Sequence, residues 1–457
     1  MRFDSQVFLL FLACMATGSA LLPRRRWQNA LLVLASYGFY GWIHPWFCWL
    51  LLASTTVDFL AALGMARFPA HRRLALGVSL ATNLGLLATF KYLDFLMEGA
   101  AAALATVGWT VDPFTLGVVL PVGISFYTFQ SMGYTIDVYR GRTEPCRNPV
   151  DFALFVSFFP QLVAGPIERA SRLLPQLEAH RPPRWRNVVL AAPLLLRGFT
   201  LKLVVADNLA PRVEKVFSAG DPSVLLVATG ALIFGAQLLA DFSGYTDIAR
   251  GSAKLLGIDL VENFRAPYAA RSPSDYWRRW HISMSQWFRD YVYIPLGGSR
   301  QPSAARFAWA MGATMGLAGL WHGAAWTFVA FGLVNGLALF IGHRIGWNAH
   351  WIPAHKGQAL LGHVGTLFVI FVSLAIFRAP SLSWLADALG TLPRPSDWLA
   401  AALLLSGGLL FSLFWGLEAL CKRANHPALH AAFAAACLAA CCVLSPGLRG
   451  DFLYFRF

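Results

Sequence analysis

The chain has 457 residues, 57% of them hydrophobic and only 13% charged, where an ordinary soluble domain is about 45–50% apolar and about 25% charged. With a mean hydropathy of +0.54, it is excluded as a free-standing soluble protein and needs lipid as part of its solvent. The formal net charge of +14 reads as the excess of Lys and Arg that cytoplasmic loops carry; the other reading is a surface for polyanions or cofactor phosphates, and only the sign of the charge speaks for nucleic acid. The cysteines at 14, 48, 146, 421, 437, 441 and 442 form no Cys-x-x-Cys pair, so neither a zinc site nor a disulfide framework follows.

Apolar stretches of near-spanning length run over 7–22, 27–43, 46–64, 74–96 and 114–134. The first has Arg2 before it and small residues near 18–20, as a signal peptide does, but Asp4 and the many following spans make it a retained span. Basic links at Pro23-Arg24-Arg25-Arg26, at 67–73 and at Arg140, Arg142 and Arg147 alternate with links around His44-Pro45 and over 98–113 that hold no Lys or Arg. That alternation puts the N-terminus outside and the basic loops inside. The apolar run 151–165 is short and carries Pro160 and Gly165-Pro166, which fits a re-entrant or broken helix.

A basic, proline-bearing stretch follows at 167–187, then expected spans near 188–206 and 224–245. Residues 246–306 are basic and aromatic, as short amphipathic helices at the cytoplasmic face would be. The run 307–343 reads as two helices meeting at or near His322, and further spans are expected at 359–376, 399–420 and 428–446. The whole is an all-α polytopic transmembrane bundle of roughly 10–12 spans plus re-entrant and amphipathic helices. It is expected to be one membrane domain, 1–457, with N-terminal spans over 1–150, the candidate chemistry over 151–345 and C-terminal spans over 346–457.

His322, in Gly319-Leu320-Trp321-His322-Gly323, is a polar group in an otherwise uncharged run. An imidazole in hydrocarbon needs a partner or a task. It either locks helix packing or does chemistry, and the adjacent glycines favour the second by opening backbone approach to something bound. His281 stands in Tyr276-Trp277-Arg278-Arg279-Trp280-His281, with Trp287, Arg289, Asp290 and Tyr291 beyond. Tryptophan and arginine suit the membrane interface, which accounts for those residues but not for His281. Asp241 and Asp247, in Asp241-Phe242-Ser243-Gly244-Tyr245-Thr246-Asp247, close an apolar run; they pair with Arg278, Arg279 or Arg289, or else orient a histidine. A buried histidine with a basic, aromatic entrance suits acyl transfer, since imidazole with a pKa of about 6.5 takes a hydroxyl proton at neutral pH. The same residues fit a transporter.

These segments resemble the membrane-bound O-acyltransferase family, and within it the bacterial alginate O-acetyltransferase branch. The resemblance runs through Leu120 to Gln130, Ile136 to Gly141, Phe159 to Ile167, Asp241 to Asp247, Glu262-Asn263-Phe264, Trp277 to Gly298, Trp321-His322-Gly323 and the closing Phe452 to Phe457. It implies an essential membrane-embedded histidine at His322, a second family histidine at His281, and a ring of helices around a central tunnel in a bacterial inner membrane. Acetyl-CoA, a substrate and not a tightly bound cofactor, would approach from the cytoplasm. A periplasmic acetyltransferase of the SGNH type would place acetyl groups on an exported polysaccharide. Arg278, Arg279 and Arg289 would meet CoA phosphates, Asp241 and Asp290 would pair with or orient them, and Trp321, Tyr245 and Asn335 would line the substrate. The branch usually has Trp-Gly-x-x-His-Gly after the histidine triplet; here it reads Phe331-Gly332-Leu333-Val334-Asn335-Gly336, and asparagine can hydrogen-bond but not act as a base. D-alanyl transfer to teichoic acid from a carrier-protein thioester, or a non-catalytic export scaffold, are the alternatives.

Overall fold

The computed structural model describes residues 1–457 except 118, 164, 183, 301–302, 446–452 and 454–457. Every regular element among the described residues is helical, and eight helices are long and apolar enough to cross a membrane. The chain divides into two compact units, 1–192 with 249–261 and 193–248 with 262–457.

The first unit holds α1 (Gln6–Leu21), α2 (Arg25–Tyr40), α3 (Phe47–Arg67), α4 (Pro69–Thr106), α5 (Ile124–Tyr139), α6 (Pro149–Ser157) and α7 (Ala170–Glu178). The span expected over 114–134 begins only at Ile124. Gly123 ahead of it takes φ +80, and a Cβ there would lie 2.7 Å from Leu162 O, so the chain turns sharply against a neighbouring backbone before the helix starts. Helix α5 packs on α3 and α4 through side chains that cannot be left unsatisfied in hydrocarbon. The buried Asp58 carboxylate accepts from Ser79 Oγ at 2.5 Å and from Asn83 Nδ2 at 2.9 Å, and Thr135 Oγ1 lies 2.9 Å from Ser79 Oγ. The run 151–165 is broken as expected: α6 stops at Ser157, and a single turn, Phe159–Leu162, follows.

In the second unit, α8 (Trp185–Phe217) contributes its part after residue 192, and α9 (Val224–Leu255) its part up to 248. Helix α9 outruns the expected 224–245, so Asp241 and Asp247 lie within a helix and do not close it. The helix continues because both carboxylates are neutralised from α8: Lys202 Nζ sits 2.8 Å from Asp241 and 2.9 Å from Asp207, and Arg197 bridges Asp247 and Glu418. Two short helices follow, α10 (Pro273–Trp277) and α11 (Ile282–Phe288), then α12 (Ala304–His322), α13 (Trp326–Arg344), α14 (Lys356–Arg378), α15 (Leu382–Gly390), α16 (Pro395–Ala424) and α17 (Pro427–Leu444).

Helix α14 runs between the two ends of this unit. At one end Trp347 Nε1 donates to Arg271 O at 2.6 Å; at the other Val224 N donates to Thr391 O at 3.2 Å, and Trp384 Nε1 to Ala219 O at 2.8 Å. Helices α12 and α13 form the expected hairpin about His322. Its tip lies toward Phe377 at the C-terminal end of α14, with the Phe328 and Phe377 ring centroids 4.8 Å apart. The glycines of the hairpin do not open space for a ligand, as the sequence reading held. A Cβ on Gly319 would meet Phe328 O at 2.1 Å, one on Gly323 would meet the Phe328 ring at 2.3 Å, and one on Gly332 would meet Met315 O at 2.2 Å. Gly319 and Gly332 let two helix backbones touch, and Gly323 makes room for the Phe328 ring. Gly319→Ala is therefore expected to destabilise the protein by about 1–3 kcal/mol, seen as a lowered melting temperature in detergent, whereas Gly312→Ala, with no atom within 4 Å of its Cβ, should melt like the parent.

Candidate active site

His322 is the last residue of α12, and Gly323 leads straight into the turn before α13. Its ring is 6% exposed and lies edge-on to Phe377 at 5.2 Å and Phe331 at 5.8 Å between centroids. It lines a narrow cavity of about 20 Å³ together with Asn335, Ser373, Trp277, Phe331 and Phe377. That is room for about one water molecule, so a substrate reaches the imidazole only if an aromatic side chain moves aside. Asn335 is buried beside it, its Nδ2 donating to Phe331 O at 2.9 Å, which fixes the amide from one turn back and leaves its oxygen for other use.

A larger cavity, about 260 Å³, lies on α10, α11 and α12. Its wall is mostly apolar, with Met284, Phe288, Met311 and Met315, and the exposed Arg278 and Arg289 also line it. Trp277 lines this cavity and the His322 cavity alike. Trp277 thus belongs to the walls of both the arginine-bearing apolar chamber and the cavity at the buried imidazole. Sequence reasoning did not single out Met311, Met315, Ser373 or Phe377, which are ordinary apolar-span residues until the helices are packed.

His281 does not line either cavity. It is fully buried, with its ring 4.7 Å from Phe242 and 5.6 Å from Trp321, and Trp321 in turn packs 5.1 Å from His322. The residue takes φ +40, an uncommon conformation for a side-chain-bearing residue. The segment Glu262-Asn263-Phe264 holds it there: Asn263 O accepts Ile282 N–H at 3.0 Å and Asn263 Oδ1 accepts Ser283 N–H at 3.1 Å, capping α11. Burial pushes this imidazole, which lies outside the spanning helices, down to about 3. An unfolded histidine titrates near 6.5, so between these values the unfolded chain binds the extra proton. The stabilising contribution of neutral His281 is complete above about pH 6.5 and is lost as pH falls toward 3. Melting temperatures measured from about pH 8 down to about pH 4 should fall on the acid side, and His281→Gln should flatten that fall.

The charged candidates divide. Arg278 lies 3.0 Å from a His350 ring nitrogen, and Arg289 pairs with Asp290 at 2.8 Å as expected. Arg279 instead pairs with Asp275 at 2.8 Å, four residues back on its own turn, and does not line the chamber. The expected pairing of Asp241 with these arginines is not found: Asp241 takes Lys202 and the Leu453 N–H, the latter at 2.7 Å. A nearer cation on α8 and a backbone N–H claim its charge. Tyr245 is buried on α9 away from both cavities, and Trp321 sits between the two histidine rings. Of the closing Phe452–Phe457 motif only Leu453 is among the described residues.

The model of the membrane-bound O-acyltransferase family matches residues 147–376, which take in His281, His322 and Asn335. The chain belongs to the membrane-bound O-acyltransferase family. It is 40% identical over 388 residues to a probable alginate O-acetylase, AlgI, of Azotobacter vinelandii, covering 84% of this chain and 76% of that one. It is 35% identical over 380 residues to a peptidoglycan O-acetyltransferase of Helicobacter pylori, covering 77% and 71%. A teichoic acid D-alanyltransferase of Streptococcus thermophilus is more distant, 28% identical over 250 residues, with 51% and 58% covered. This chain is accordingly a multi-pass membrane O-acyltransferase of the alginate O-acetylase-like branch of that family.

Proposed function

We propose that this O-acyltransferase takes an acetyl group from acetyl-CoA at the cytoplasmic face of a bacterial inner membrane and delivers it outward for O-acetylation of an exported polysaccharide. The observation that carries the reading is the shared residue: Trp277 lines both the chamber of Arg278 and Arg289 and the cavity of His322. Arginine is the side chain suited to a donor's phosphates, the apolar chamber suits the donor's slender arm, and the imidazole lies one residue beyond. In the reaction His322 takes the proton of the acceptor hydroxyl as its oxygen adds to the thioester carbonyl. The C–S bond then breaks, and the leaving sulfur receives that proton as the free thiol. Asn335 orients the acceptor by hydrogen bonding, and His281 acts through Trp321 by holding the ring that flanks His322.

Sequence identity to an alginate O-acetylase and a peptidoglycan O-acetyltransferase supports acetyl over D-alanyl transfer. The partner would be a periplasmic SGNH-type acetyltransferase that sets the group on the polymer. Membranes supplied with labelled acetyl-CoA should pass label to polymer, whereas label passing only from a charged D-alanyl carrier protein would reject the reading.

A further inference from the structure

Two hydrogen-bonding groups of the second unit, Ser274 Oγ and Trp277 Nε1, are buried and have no hydrogen-bond partner among the described residues. A buried donor left without an acceptor is costly, so a pair of them in one place calls for a ligand. Both stand on α10, three residues apart, and therefore on one face of the turn. Both residues line the chamber of about 260 Å³ whose other walls are largely apolar, and Trp277 also lines the His322 cavity. A ligand that satisfies both must be slender and mostly apolar. It must carry two acceptor oxygens, one for Trp277 Nε1 and one for Ser274 Oγ, on side chains whose Cβ atoms lie roughly 5–6 Å apart on successive turns.

We infer that α10 reads the pantetheine arm of the acyl donor: Trp277 Nε1 donates to the thioester carbonyl oxygen, and Ser274 Oγ donates to the nearest amide carbonyl of the arm. This inference rests on the acetyl-transfer reading above. In a pantetheine thioester those two carbonyls are separated by a sulfur, two methylenes and a nitrogen, a comparable length. The thioester oxygen gains negative charge as the acceptor oxygen adds and loses it as the C–S bond breaks. The indole N–H keeps its proton throughout and binds most strongly when that charge is greatest. The same arm occurs on CoA and on an acyl carrier protein, and α10 contacts only what the two share.

The test compares wild type, Trp277→Phe and Ser274→Ala in native membranes that hold the polymer and partner. Four labelled donors are used: acetyl-CoA, an acetylated acyl carrier protein, S-acetyl-N-acetylcysteamine (thioester and one amide) and ethyl thioacetate (thioester alone). Trp277→Phe keeps a large ring and removes the N–H, and it should lower turnover with every donor by about tenfold to a hundredfold. Ser274→Ala should lower kcat/KM roughly fivefold to tenfold for amide-bearing donors and leave ethyl thioacetate unchanged. Equal losses with all donors in Ser274→Ala, or wild-type rates in Trp277→Phe, would overturn the inference. Should Trp277→Phe fail to elute as folded protein from a sizing column, the donor comparison in Ser274→Ala decides alone. Which of acetyl-CoA and the carrier protein serves wild type identifies the source of the arm, and either supports the inference if the variant pattern holds. Wild type that transfers acetyl from no donor would defeat the acetyl reading itself; active wild type with unaltered variants defeats only the role of α10.

Discussion

Replacing His322 by alanine is expected to abolish acetyl transfer, by about 10²–10⁴-fold for the loss of a general base, while the protein still inserts and elutes as folded material. The side chain stands at the end of α12 on the wall of a cavity, where the turn to α13 follows at once and no helix has to continue through it. The comparison variant is Phe331→Leu, which alters the same cavity wall but leaves the imidazole. It should retain much of the activity. Polymer acetylation measured by label incorporation distinguishes the two. Activity that survives in His322→Ala would remove the imidazole from the reaction.

The largest effect on stability is expected from Lys202→Ala. Its ammonium sits between Asp207 and Asp241, and all three side chains are at most 6% exposed. Removing this cation takes the ammonium from two buried carboxylates of the second unit, and breaking such a buried pair costs about 3–5 kcal/mol. The variant should lose most of its folded yield in detergent. The triple variant Lys202→Ala, Asp207→Asn, Asp241→Asn should recover a large part of it, because neutral replacements of a buried ion group are often near neutral in cost. A Lys202→Ala protein that melts with the parent would show that these charges are screened from one another.

Much of this fold is written in the hydropathy of the chain, because lipid requires long uninterrupted apolar runs and leaves few other solutions. The spans expected at 359–376, 399–420 and 428–446 correspond to α14, α16 and α17 within a few residues, and His322 marks the break between α12 and α13. Three features were hidden for identifiable reasons. The described residues of 114–123 are apolar without being helical, since composition does not register the backbone turn at Gly123. Helix α9 continues past 245 because the partners of Asp241 and Asp247 lie 39 and 50 residues earlier in the chain, and no local pattern announces such a pair. The glycines flanking His322 looked like room for a ligand, and the room is taken by Phe328.

The candidate site was legible in part for the same reason. An intramembrane histidine is conspicuous, and Arg278 and Arg289 belong to a conspicuous aromatic and basic run. Arg279 beside Asp275 follows the i,i+4 spacing of a helical ion pair, which the sequence could have supplied. Ser274, Ser373 and Phe377 carry no such signal. Their place at the cavities depends on α10 and α14 packing beside the hairpin, and only the assembled helices reveal it.

The central claim is that a thioester donor enters the chamber on α10 and meets His322 past Trp277. A structure of the purified protein with a thioether analogue of acetyl-CoA, in which a methylene stands between sulfur and carbonyl and leaves no acyl C–S bond to break, tests it most directly. The analogue's phosphates are expected at Arg278 and Arg289, its arm along α10 and its carbonyl oxygen on Trp277 Nε1, with its carbonyl carbon about 3–3.5 Å from where a hydroxyl bound to His322 would sit and the His322 cavity opened to admit it. An analogue bound elsewhere, with no contact to Trp277 Nε1 and the His322 cavity still the size of one water, would contradict it.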